Sequence, residues 1–334
     1  MFDFNKIKDV SFFKENALPA KATFIPYGNE EEIKERKSSL RVSLDGLWKF
    51  AYAKNLSLAV KDFYKKDYCV KSWDSISVPS NMQMEGYDIP QYANVQYPWD
   101  GVQDVAHDDV PSDFNPVGMY VKTLNISENA KDKDIIITFE GVESAFALWV
   151  NGEYVGYAAD SFTATSFDLT KFVSAGINKI AVMVFKWSIS SWCEDQDFFR
   201  FSGIYRSVYI DVLPRTRIVD YTVKAVPDDS FKKAELKVEG LLLGKGKLST
   251  RLSYKGETIL TDEREISESL KLSFTVNEPK LWSAEKPELY DLTFKVYDED
   301  GKLAEVINER VGFRRIEIKD KIMRANDGYA KDGL

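Results

Sequence analysis

Apolar and polar residues alternate in short runs along most of the chain, and turn-forming residues separate the runs. The pattern starts after Ser43. Leu44-Asp-Gly-Leu-Trp-Lys-Phe-Ala-Tyr52 opens with a turn signal and continues as an aromatic strand. Further strands are predicted over 75–78, 118–124, 134–140, 144–150, 153–158, 178–185 and 207–212. Within Trp149-Val-Asn-Gly-Glu-Tyr-Val155, an Asn-Gly pair between alternating apolar residues predicts a tight hairpin. Many short strands with few helical patterns between them argue for a β-sandwich of jelly-roll type.

Pro214-Arg-Thr-Arg217 marks a boundary, after which the alternation becomes more regular. Strands are predicted over 218–226, 233–243, 249–254, 271–276, 289–297 and 303–311, and Lys255-Gly-Glu reads as a hairpin turn. This spacing suits an immunoglobulin-like sandwich, without the disulfide of an immunoglobulin proper. The expected fold class is therefore all-β, a jelly roll over 41–215 followed by an immunoglobulin-like β-sandwich over 216–314. Residues 1–40 read as a polar N-terminal extension. Its charged run Glu30 to Lys37 is expected to wrap the first domain with one short helix. Residues 315–334 hold one more strand, at 315–318, and a polar tail, the start of a further domain.

Composition narrows the function more than the fold. The 334 residues suit two domains, and 44% hydrophobic with 29% charged is ordinary for a globular protein. A net charge of -8 disfavours nucleic acid and anionic membranes as partners. No run reaches the length of a membrane span, and the first residues carry acids instead of a signal peptide's apolar stretch. Two distant cysteines, Cys69 and Cys193, make no disulfide framework and predict a reducing, cytoplasmic location. The single histidine, His107, rules out zinc sites built on several histidines.

Glu194-Asp-Gln-Asp197 sits between aromatic stretches: Trp187 to Trp192 before it, and Phe198-Phe-Arg-Phe201 after it. Carboxylates amid aromatic surface are costly to bury unpaired, and together they suit a sugar, one accepting hydroxyl protons while the other stacks. The patch could form one wall of a polyol or cation site, or a structural network tied to Arg200 and Arg206. As a complete glycosidase site it is deficient, because two carboxyl groups must face each other across the sugar. The loop 78–99 is rich in amides, aromatics and proline. Its Asn94 offers a donor and an acceptor to a sugar hydroxyl, or equally well a cap for the loop. Gly240 to Gly246 lacks the spacing of a phosphate loop.

Six collinear segments carry a family resemblance: Val78-Pro-Ser-Asn-Met-Gln-Met-Glu-Gly-Tyr-Asp, Tyr92-Ala-Asn-Val-Gln-Tyr-Pro, Phe139-Glu-Gly-Val-Glu-Ser-Ala-Phe, Glu194-Asp-Gln-Asp-Phe-Phe-Arg-Phe-Ser-Gly-Ile-Tyr-Arg, Pro279-Lys-Leu-Trp-Ser-Ala-Glu-Lys-Pro-Glu-Leu-Tyr and Val311-Gly-Phe-Arg. From about residue 38 to 320 they resemble the LacZ-type β-galactosidases of glycoside hydrolase family 2. The resemblance implies a jelly-roll sugar-binding domain, then an immunoglobulin-like domain, then a (β/α)₈ barrel holding both catalytic glutamates and the principal Mg²⁺ site. It implies that Asp197 binds the region of the galactosyl primary hydroxyl and an Na⁺ ion, and that Asn94 helps hold the galactose.

Glu194 and Asp195 match the same motif without an implied ligand role. Phe199 stands where many members have Trp, and Asn326-Asp-Gly-Tyr-Ala-Lys-Asp departs from the family's Asn-Gly-Lys-Pro turn. The parent enzyme would hydrolyse terminal β-D-galactosides such as lactose by a retaining mechanism, as an oligomer. This chain, with no catalytic residue, is expected to be inactive alone and to hold neither ion tightly. The alternatives are a stand-alone carbohydrate-binding module, and a docking subunit that pairs with a barrel-bearing chain.

Overall fold

The structure, a computed structural model, describes residues 2–194, 197–319 and 321–325. Asp195 and the segment from Asn326 onward lie outside them. The chain divides into two compact units: Met1–Ala20 with Val42–Val212, and Lys21–Arg41 with Leu213–Leu334. Both are built of antiparallel sheet, as the alternating pattern predicts. Among the described residues no helix is long and apolar enough to cross a membrane.

In the first unit, a sheet of seven strands runs in the order Lys14–Glu15, Glu153–Ala158, Ala145–Val150, Gly176–Phe185, Val117–Ile126, Gly46–Ala53 and Asp74–Val78. A second sheet includes Thr165–Asp168, Asp134–Phe139 and Val208–Leu213. Between the two lies a core that includes Trp48, Phe50, Tyr120, Phe139, Phe146 and Phe167. The larger sheet is also covered on its other face, where Met119, Ala147, Trp149 and Met183 pack against Phe2, Ile7 and Phe63. That double burial explains why Ala145–Val150 is apolar without interruption: a strand covered on both faces has no solvent side to alternate with. Asn151 and Gly152 turn the predicted hairpin with φ of 53° and 92°, the left-handed region that Asn and Gly tolerate best.

The covering loop is held by one ammonium group. Lys179 Nζ donates to the carbonyls of Phe63, Lys65 and Tyr68 at 2.8, 2.6 and 3.0 Å. Burial pulls the pKa of this amine down, opposed by Asp67.

In the second unit, Arg217–Pro227, Lys233–Leu243 and Ser269–Asn277 form one sheet; Glu257–Glu265, Gly246–Tyr254, Tyr290–Asp298 and Leu303–Val311 form the other. Strict alternation is visible in Lys233–Leu243, where Ala234, Leu236 and Val238 point into the core and their neighbours face solvent. The charged run near residue 30 folds as the short helix Glu30–Glu35, capped by Asn29. It belongs to the second unit, not the first as expected. Glu30 lies 2.5 Å from both Arg251 Nη2 and Lys295 Nζ, so its carboxylate is neutralised by strands of that unit.

Candidate functional site

Two short segments of the first unit, Gln91–Ala93 and Phe198–Arg200, pair as an antiparallel ribbon. The register is Phe198 with Ala93, Phe199 with Tyr92 and Arg200 with Gln91. One step outward along each strand come Asn94 and Asp197, so the ribbon brings both predicted residues to the same tip. Both are exposed. Asp197 has φ of 57°, a left-handed conformation that Asp adopts more readily than most residues and that ends the strand there. The Tyr92 hydroxyl donates to Asp197 Oδ1. This bond raises the Tyr92 pKa, because the phenolate would face a carboxylate.

Aromatic rings flank the tip. Tyr92 and Phe199 have centroids 5.5 Å apart, and Phe199 stacks on Phe201 at 5.8 Å. Phe198 meets Phe162 edge-on at 6.3 Å. Tyr92, Phe198 and Phe199 are about half exposed, at 55%, 45% and 54%, which leaves ring surface available to a ligand.

The acidic patch divides. Glu194 turns away from the tip and accepts from Ser161 N at 3.3 Å and Ser161 Oγ at 2.9 Å. Its own carbonyl accepts from Arg200 Nη1 at 2.9 Å, while Arg206 Nη1 donates to the Phe162 carbonyl at 2.8 Å. Glu194 is thus tied into a local network with Ser161, whereas Asp197 stands exposed at the tip. Asp195 lies outside the described residues.

Most of the other aromatics that looked available for stacking hold the loop itself. Trp99 meets Trp187 and Trp192 edge-on at 5.7 and 4.9 Å, and Trp192 Nε1 donates to the Asp109 carbonyl at 2.8 Å. His107 is exposed, tilted against Trp192. A cleft of about 230 Å³ lies beside the ribbon, with Gln91, Pro98, Trp99 and Phe114 among its walls.

Asp197 supplies one exposed carboxylate with one oxygen already engaged by Tyr92. Among the described residues, no group of three His, Cys, Asp or Glu is placed to hold a metal ion. The free oxygen of Asp197 could serve as one oxygen ligand of a hard cation. Three residues escaped the reading of the sequence, one at the tip and two away from it. Tyr92 is two residues from Asn94, and its register with Phe199 could not be foreseen. Lys186 and Asp88 form a buried ion pair at 2.5 Å, signalled only by a lysine directly after an apolar strand.

The fold defines a protein of two β-sandwich units in tandem along the chain. Residues 41–214 match the family described as glycosyl hydrolases family 2, sugar binding domain, and residues 216–314 match glycosyl hydrolases family 2. The chain belongs to glycosyl hydrolase family 2. It is 42% identical over 327 residues to a β-galactosidase of Halalkalibacterium halodurans, covering 96% of this chain and 32% of that protein. A β-galactosidase of Clostridium acetobutylicum is 41% identical over 322 residues, covering 95% and 36%. A β-galactosidase large subunit of Lactobacillus acidophilus is 38% identical over 338 residues, covering 96% and 54%. The chain thus spans about a third of the first two relatives and about half of the third. Among solved structures, a calcium-binding mutant of Bacteroides uniformis β-glucuronidase 2 superposes with a TM-score of 0.69 at 22% identity, over 86% of this chain and 34% of that one. A β-glycosidase from Bacteroides vulgatus gives 0.68 at 24%, over 86% and 35%. These last two likenesses concern the fold alone.

Proposed function

We propose that this chain is the sugar-binding and immunoglobulin-like portion of a β-galactosidase, with Asn94 and Asp197 forming one wall of the galactose site. The observation that carries this reading is the ribbon register, which sets an amide and a carboxylate side by side among half-exposed rings. The amide can donate and accept, and the carboxylate accepts from sugar hydroxyls and contributes one oxygen to a bound Na⁺. Residues 41–215 and 216–314 are assigned to the two domains, and 315–334 to the start of the catalytic barrel. The β-galactosidase relatives support the substrate class.

Retaining hydrolysis of lactose and other terminal β-D-galactosides needs a nucleophile and an acid/base roughly 5–5.5 Å apart across the scissile bond. Glu194 accepts from Ser161 and Asp197 from Tyr92, so each carboxylate serves a contact within this chain, and the catalytic pair is assigned to the barrel. In this reading the 334 residues alone do not turn over substrate, and they bind sugar weakly because one wall gives little burial. The test is a chromogenic galactoside assay on the chain alone and on the chain mixed with a barrel-bearing polypeptide of the family. No turnover alone and activity on mixing support the reading. Turnover by the chain alone overturns it. Saturable galactose binding tighter than millimolar in calorimetry would indicate a self-sufficient binding module instead.

A further inference from the structure

A buried charge pair of the first unit has no part in the sugar wall itself. Lys186 Nζ lies 2.5 Å from Asp88 Oδ2, with side chains 1% and 2% exposed. Rings of Phe114 and Trp187 cover the ammonium at 5.6 and 5.1 Å. Asp88 Oδ2 also accepts from Gln83 Nε2 at 2.7 Å. The same Gln83 amide nitrogen donates to Ser202 Oγ at 2.9 Å, and Ser202 N returns a bond to Gln83 Oε1 at 2.9 Å. Beside them Met82 N donates to the Ser202 carbonyl at 2.8 Å.

Position in the chain gives these bonds their meaning. Asp88 leads into Gln91–Ala93, and Ser202 follows Phe198–Arg200. The network closes the ribbon at the end opposite Asn94 and Asp197. A ribbon this short does not hold its own geometry in water, so its tip stands where its root is fixed. Burying two charges costs desolvation that an apolar pair of similar volume would avoid, so stability is a poor reason for the pair to be here. What charge adds is direction: Asp88 must meet both the ammonium and the Gln83 amide.

We propose that Lys186 and Asp88 are positioning residues, an ion-pair clamp that acts through Gln83 and Ser202 to fix the root of the ribbon and thereby the placement of Asn94 and Asp197. The functional value of the clamp rests on the sugar-wall reading; its mechanics do not. Desolvation lowers the Lys186 pKa, and the Asp88 carboxylate, with Glu143 behind it, opposes that shift, in keeping with an ammonium held in place by its ion pair.

Hydrogen exchange on the whole chain, read by mass spectrometry, tests the clamp. The variant is K186M/D88L, which replaces the ion pair by apolar side chains of comparable size. Amides of 91–93 and 198–200 should exchange faster by about tenfold or more, while those of Val117–Ile126 and Gly176–Phe185 keep their protection. Unchanged ribbon protection overturns the proposal. A loss shared evenly by the core strands also overturns it, because it assigns the pair to general stability. Gln83→Met leaves the ion pair intact and cuts its link to Ser202; it should loosen the same amides, and tests the clamp even if the double variant does not fold. No sugar enters these measurements, so unaltered galactoside kinetics for Asp197→Ala in a full-length family member would refute the wall and leave the clamp standing.

Discussion

Asn94 and Asp197 share one tip because Ala93 pairs with Phe198, the last register step of the Gln91–Ala93 and Phe198–Arg200 ribbon. If that tip is the galactose wall, the two residues act on the same sugar. Asp197→Ala in a full-length family member carrying the same motif should lower kcat/KM for a galactoside by about 100-fold, the equivalent of roughly 3 kcal/mol for a lost charged hydrogen bond. In the chain itself Asp197 is exposed but holds a left-handed φ of 57° that Ala tolerates less well, and the same change should cost only about 1 kcal/mol of unfolding free energy. Steady-state kinetics and denaturant titration check the two halves; unaltered kinetics would refute the assignment.

Tyr92 reports directly on the tip. Its pKa is raised by the bond to the Asp197 carboxylate. Asp197→Asn removes the negative charge, so the phenol should titrate at lower pH than in the unaltered chain. Carbon-13 labelling at tyrosine Cζ, followed by NMR from neutral to alkaline pH, resolves the shift. An unmoved resonance would mean that the bond does not persist in solution.

Alkaline stability follows from other tyrosines. Tyr52 is pushed up to about 12, by burial and then by Asp88. Tyr154 and Tyr221 are raised by burial, reinforced by Glu15 and Glu309. A folded-state pKa above the unfolded value of about 10 means that the unfolded chain releases its protons first as pH rises. The stability these groups contribute is complete below about pH 10 and is lost as pH climbs through the folded values. Calorimetric Tm should therefore fall once pH passes about 10, more steeply than in a Tyr154→Phe variant.

Strand boundaries were readable in several places: Lys233–Leu243 and Leu303–Val311 have the predicted bounds, and Glu153–Ala158 follows its Asn-Gly turn. Glu257–Glu265 escaped because it is a polar edge strand, with every residue exposed or half-buried and no apolar face to mark it. Gln91–Ala93 and Phe198–Arg200 escaped because they are too short for periodicity and exist through each other. At the tip, residue chemistry singled out Asn94 and Asp197 separately. Their juxtaposition is a matter of register between distant segments, which local sequence does not encode. The separation of Glu194 from Asp197 was likewise invisible, since it depends on Ser161 standing nearby.

Lys179 offers a test of how the outer face of the large sheet is closed. Its ammonium satisfies the carbonyls of Phe63, Lys65 and Tyr68 together. Lys179→Met keeps the aliphatic stem and leaves those acceptors without their common donor. The expected cost is about 3 kcal/mol, since bonds to a charged donor are lost at a buried site. Limited proteolysis should then cut between residues 60 and 73 before any other segment of the first unit. A variant as stable and as resistant as the unaltered chain would show that aromatic packing alone, such as Phe63 on Trp73, holds the loop.

Gly156 tests the free edge of the same sheet. A Cβ there would lie 2.5 Å from the Glu15 carbonyl oxygen and 2.5 Å from Phe167 Cε1. Phe167 is fully buried and cannot swing away, so the strain must fall on Lys14–Glu15, the short outermost strand. Gly156→Ala should therefore cost about 2 kcal/mol through overpacking, relieved by detaching that strand. Detachment would also break the bonds from Lys6 and Tyr154 to Glu15, so the first residues of the chain should lose amide protection together. Hydrogen exchange separates the outcomes. Loss confined to residues 6–16 supports the edge as the yielding element, whereas loss in Thr165–Asp168 would mean that the buried ring gave way instead.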